Sequence, residues 1–210
     1  YRSLLLATGL HKKNDDGRWQ FVAPPKEKNP NGLAIDANFH HVWQRIDAFI
    51  ASTEAAPKSF VELNAELQAA PYGVKAGTLP VIFIVYYIVH QHEIALYEGA
   101  TYRPYFTEEM LERFIKRPTE YEFQRFRIQG LKASVFNQYS QVLFNDGKQR
   151  TLLELAKPLA ASMGGLPDYT KKTRRGLSDS AQKVRTAFHL AKSPGRLLFT
   201  ELPQALGFSV

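Results

Sequence analysis

The sequence predicts an α+β fold, mostly helical, on three observations. Apolar residues recur at three- and four-residue spacing through most of the chain after Asn38, the period of helices with one buried face. One stretch, Ile94 to Tyr105, folds its pattern about Gly99 as a β-hairpin does. No internal repeat or low-complexity segment breaks the pattern into an array.

Taken in order, residues 1–37 read as an irregular N-terminal segment with one edge strand. Trp19 to Ala23 alternates apolar and polar and runs into Pro24-Pro25, and proline is tolerated only at strand ends and edges. Asp15-Asp16-Gly17 is a turn, and Lys26 to Gly32 is a solvated loop. A helix begins near Asn38, with Phe39, Val42, Trp43, Ile46, Phe49 and Ile50 on its apolar side. A second follows Ser59, with Glu62 in a first turn that favours acids. Pro71-Tyr72-Gly73 ends it. Thr78 then caps a third helix, with Pro80 in its first turn. That helix, Leu79 to Val89, is apolar nearly all round and so buried on most sides, though its β-branched residues keep a central strand open as an alternative. After the hairpin, Thr107-Glu108-Glu109 caps a helix ending at Arg117, and Glu122 to Ile128 alternates like a strand. The remainder is helical: Leu131 to Phe144, Thr151 to Met163, Ser178 to Lys192 with Ser178 as cap, and a short helix near Leu197 to Leu206.

Helix, helix, turn, buried helix, hairpin is the winged-helix order of elements. The expected organisation is therefore a winged-helix-like unit over residues 38–128 and a helical unit over 129–210, with no flexible linker between them.

Composition bounds the function. The 210 residues are 44% hydrophobic and 22% charged, ordinary globular values. Cysteine is absent, which excludes disulfides and Cys-based zinc sites. The longest apolar run is far short of the ~20 residues a membrane span needs, so the expectation is a cytoplasmic chain without a membrane partner. Tyr1 at one end and Phe208-Ser209-Val210 at the other read as cuts from a longer protein.

Catalytic signatures are scarce. There is no G-x-x-x-x-G-K-[ST], no G-x-G-x-x-G and no G-x-S-x-G. His90-Gln91-His92-Glu93 resembles a metal set, but residues two apart on a helix point about 200° apart. His40-His41 diverge likewise, and Glu108-Glu109 complement a helix dipole. The expectation is a non-enzymatic chain with no cofactor.

Charge points elsewhere. The net charge is +7 and the pI about 9.5, which favours a polyanionic partner. Tyr169-Thr170-Lys171-Lys172-Thr173-Arg174-Arg175-Gly176 holds four cations and no acid, ahead of a helix N-terminus whose free amides also attract anions. Lys171, Lys172, Arg174 and Arg175 are thus candidate phosphate contacts on an interhelical loop, and Lys75 a lone one in the turn before the buried helix. Arg113, Lys116, Arg117, Arg125 and Arg127 form a second positive group, offset by Glu108, Glu109, Glu112, Glu120 and Glu122. The apolar Leu79–Val89 helix lacks the polar face that base readout requires.

Several strings carry a resemblance: Ala70 to Gly77 (APYGVKAG) leading to Leu79-Pro80-Val81, Ile94 to Gly99 (IALYEG), Leu166 to Thr170 (LPDYT), then Leu197-Leu198-Phe199 and Leu202-Pro203. Together they resemble a segment that follows the nucleotide-binding region in large bacterial P-loop ATPases linked to phage defence, the BREX type. The resemblance covers most of the chain and implies a parent that binds ATP elsewhere, with this piece as an accessory winged-helix and helical domain. It carries over no functional residue. Two function classes follow: a nucleic-acid-binding (DNA-binding) accessory module, or a protein–protein or interdomain scaffold.

Overall fold

Helices dominate the computed structural model, which describes residues 1–26, 39–127, 136, 151–190 and 193–207. Two short antiparallel hairpins and one further strand, β5 (Tyr121–Arg125), supply the sheet structure among them. The fold is α+β and mostly helical. The chain divides into two units, one of Tyr1–Gln91 with Glu112–Gln124, the other of His92–Leu111 with Arg125–Val210.

In the first unit, α1 (His40–Ala51) buries Val42, Trp43, Ile46, Phe49 and Ile50, the residues its spacing selects. α2 (Val61–Gln68) buries Leu63 and Leu67. α3 (Leu79–Val89) is a helix, not the alternative strand, and carries Pro80 in its first turn. It buries Leu79, Ile82, Phe83, Val85, Tyr86 and Tyr87 and leaves Val81 at its edge to solvent. The core centres on Phe60, whose ring stacks on Phe83 at 4.0 Å and tilts against Phe123 at 4.3 Å. Phe114, on α4 (Glu108–Lys116), meets Tyr121 and Phe123 edge-on, the arrangement that opposes ring edge to ring face. Lys58, between α1 and α2, exchanges two backbone hydrogen bonds with Phe123 of β5, 3.1 and 2.8 Å. That pairing gives the loop before α2 a fixed seat.

Two local expectations change here. Thr78 does precede α3, but its hydroxyl donates to the Lys75 carbonyl at 2.6 Å and closes the 3₁₀ turn Ala76–Thr78. It caps no α3 amide. The N-terminal segment also holds more than an edge strand. A π-helical turn (Arg2–Leu6) precedes β1 (His11–Lys13), which pairs with β2 (Trp19–Phe21) across the Asn14–Arg18 turn. Gly17 takes φ +77° there, and the Asn14 side chain accepts from the Arg18 amide at 2.8 Å.

In the second unit, β3 (Ile94–Glu98) and β4 (Thr101–Arg103) form the expected hairpin, with Tyr97 opposite Tyr102. Its two-residue turn has Gly99 at φ +55° and Ala100 at φ +61°, the positive pair of a type I′ turn. α5 (Leu152–Gly164) opens on a capping box: the Thr151 hydroxyl accepts from the Glu154 amide and the Glu154 carboxylate from the Thr151 amide. Leu152, Leu153, Leu155 and Ala156 pack with Ala95, Tyr97, Phe136 and Leu198. α6 (Asp168–Lys172) and α7 (Asp179–Leu190) follow, and the chain is helical again from Pro194 to Ala205. The expected helix Leu131–Phe144 lies outside the described residues except for Phe136, which is helical and buried.

Candidate nucleic-acid interface

The basic segment is not wholly a loop. Asp168, read from sequence as part of a turn, starts α6, and Lys171 and Lys172 end it, since an acid in the first turn and lysines in the last complement the helix dipole. Arg174 and Arg175 lie on the bend that follows, which turns at Gly176 with φ +79°. All four cations are exposed, as is Tyr169. Lys171 reaches Asp168 at 3.9 Å, a loose surface pair of little worth.

What holds this segment comes from α7. Arg185 donates from Nη1 to the carbonyls of Thr170, at 2.9 Å, and Thr173, at 2.5 Å. Gln182 donates from its amide to the carbonyls of Leu177 and Arg174, at 3.2 and 3.5 Å. Ser178 caps α7 as expected, its hydroxyl accepting from the Ala181 amide at 3.2 Å. The carbonyls of Thr170, Thr173, Arg174 and Leu177 therefore accept from α7, while the four cationic side chains remain exposed. Arg185 was not legible as part of the site, because its partners are backbone atoms.

The other candidates disperse. Lys75 is exposed just ahead of the 3₁₀ turn in the first unit. Arg125 leaves the second positive group: its side chain is 6% exposed and donates to the Glu93 carboxylate at 3.1 Å. Arg117 pairs with Glu120 at 3.5 Å. The His90–Glu93 string goes three ways, with His90 stacked on Tyr86, His92 3.5 Å from the Glu154 carboxylate, and Glu93 on Arg125. Among the described residues no three His, Asp or Glu side chains gather as metal ligands would. Among them, too, no helix is long and apolar enough to cross a membrane.

No family model, curated protein or solved structure matches this chain. Two further features had no sequence signal. Lys157 on α5 is 7% exposed, and burial depresses its amine to about 8. The β1–β2 hairpin holds a cluster of rings at the surface.

Proposed function

We propose that this chain is a non-catalytic accessory module that binds nucleic acid, duplex DNA in the first instance, through phosphate contacts without sequence preference. The observation that carries the reading is the α6–α7 junction, where Lys171, Lys172, Arg174 and Arg175 stand exposed on a segment whose backbone carbonyls Arg185 and Gln182 hold. Charge exposed on a prepared backbone serves phosphates and reads no base. The buried apolar α3 supports the second half of the proposal, because its described surface offers no row of polar side chains to a groove. The resemblance noted above supports a setting beside an ATP-hydrolysing region in a bacterial phage-defence protein.

A fluorescence-anisotropy titration with a labelled duplex across a salt series tests this. Binding is expected to be weak, indifferent to sequence and steeply salt-dependent, since each neutralised phosphate releases counterions. Changing the four cations together to Ala lowers the slope of log K against log salt by up to about 3.6, at ~0.9 per contact. Equal slopes for the two proteins would sink the proposal. Absence of binding by either would move the reading to an interdomain scaffold.

A further inference from the structure

We propose that the ring-bearing face of the β1–β2 hairpin is a stacking platform for single-stranded nucleic acid. The inference goes beyond the phosphate grip at Lys171–Arg175, since other residues and other chemistry carry it. The register pairs His11 with Phe21 and Lys13 with Trp19. Alternation along each strand and opposition across the pair therefore put His11, Lys13, Trp19 and Phe21 on one face, and Lys12 and Gln20 on the other.

On that face the rings are continuous. His11 lies parallel to Trp19, 5.0 Å between centroids and 14° between planes, and 4.7 Å from Phe21. Tyr1 meets His11 edge-on at 5.7 Å, and its hydroxyl lies 3.0 Å from the His11 Nδ1. The Lys13 amine stands 5.5 Å from the Trp19 ring centre. Trp19 and Tyr1 lie in solvent, 52% and 60% exposed, while His11 and Phe21 are half-buried. A lone exposed ring needs no explanation. A run of four, two of them exposed and an amine set beside the indole, is a surface of one specific chemistry.

The occupant follows from that chemistry. Of the four strand residues on that face, three are rings and one is an amine. Its rings offer flat π surfaces, and the Lys13 amine beside the indole offers positive charge. A flat aromatic group tethered to phosphate matches both. Unpaired bases supply that combination, and stacking is worth about 1–3 kcal/mol per base. Duplex DNA does not, because its bases are already stacked. Arg18 adds little charge, as Asp16 holds it at 3.2 Å.

Trp19 reports on its own site. The chain has two tryptophans, and Trp43 is 5% exposed. Titration of the chain with a 16-nucleotide oligo(dT) is expected to quench the emission, and oligo(U) distinguishes RNA from DNA as the source of the bases. Trp19→Phe keeps a ring and should retain affinity while losing the quench. Trp19→Ala should lose both, weakening oligo(dT) binding by roughly 5- to 150-fold and leaving duplex binding unchanged. Changing the four cations of the α6–α7 junction to Ala should leave the quench in place, so the two sites fail separately. A quench that survives in Trp19→Phe, or equal oligo(dT) affinity for Trp19→Ala and wild type, overturns the proposal. So does emission that responds to phosphatidylserine vesicles or a neutral oligosaccharide and not to oligo(dT). If Trp19→Ala fails to fold by circular dichroism, the wild-type and Trp19→Phe titrations decide alone.

Discussion

The Arg185 guanidinium sits 2.5 Å from the Thr173 carbonyl, and that contact, shared with Thr170, makes the basic segment a shaped surface instead of a loose one. The charge of Arg185 is turned toward backbone oxygens. Two kinds of cation in one segment should then behave differently. Arg185→Met should lower duplex affinity several-fold with little change in salt slope, because flexibility rises but no phosphate contact is lost. Lys172→Ala should lower the slope by ~0.9 at unchanged stability. The Arg185 variant should also lose about 1.5–3 kcal/mol of stability, the scale of a hydrogen bond from a charged donor. Anisotropy titrations over salt and urea unfolding separate the outcomes. A slope that falls in Arg185→Met would mean its guanidinium faces the ligand.

The β3–β4 turn predicts a gain. A type I′ turn needs positive φ at both central positions, and the second is held by Ala100 at +61°. An L side chain is strained there, and glycine is not. Ala100→Gly should stabilise the chain by about 0.5–1 kcal/mol, after allowance for glycine's greater freedom in the unfolded state. Gly99→Ala should cost a similar amount. Thermal melts of the two variants show opposite shifts if this geometry holds, and same-sign shifts reject it.

Much of this fold was legible because local rules and tertiary structure agree. The three- and four-residue spacing from Val42 to Ile50 marks the buried face of α1, Gly99 marks a turn, and Ser178 marks a cap. What escaped was long-range or made of backbone. Nothing local to Lys58 announces its pairing with Phe123. The His-Lys-Lys of β1 has no strand pattern, and takes strand geometry by pairing with β2. Arg125 carries a charge that composition places outside, and Glu93 draws it in. The candidate site was half legible: clustered cations are visible in sequence, but the α7 side chains that hold their backbone are not.

The first unit's core should be most sensitive at Phe60. Its ring is 1% exposed and is shared by Phe49, Phe83 and Phe123, so α1, α2, α3 and β5 all lean on one side chain. Phe60→Ala removes that volume where neighbours from separate elements cannot all collapse inward, and about 3–5 kcal/mol should be lost. Phe60→Leu keeps most of the volume and should cost roughly half as much. Urea unfolding of both variants gives the comparison, and a cost below 1 kcal/mol for Phe60→Ala would contradict the central placement.

Lys157 sets a pH dependence opposite to the usual one. It lies 7% exposed on α5, and burial lowers its amine from 10.5 to about 8, with Glu154 opposing the change. Below pH 8 the folded chain carries a buried charge that the unfolded chain keeps hydrated. From about pH 8 to 10.5 the unfolded state binds a proton that the folded state does not, so stability rises with pH. At about 1.36 kcal/mol per pH unit, the depression to about 8 amounts to roughly 3 kcal/mol at neutral pH. Lys157→Met keeps the length and removes the charge, but also gives up the amine's polar contacts, so it should stabilise by about 1–3 kcal/mol at pH 7. That advantage should shrink steadily as pH climbs to 10. Tyr87, which burial raises to about 12, acts in the reverse sense between pH 10 and 12. Subtracting the wild-type profile removes its contribution. Urea titrations of both proteins at pH 7, 8, 9 and 10 make the measurement, and a difference that stays flat across that range would show that the Lys157 amine titrates as a solvated lysine does.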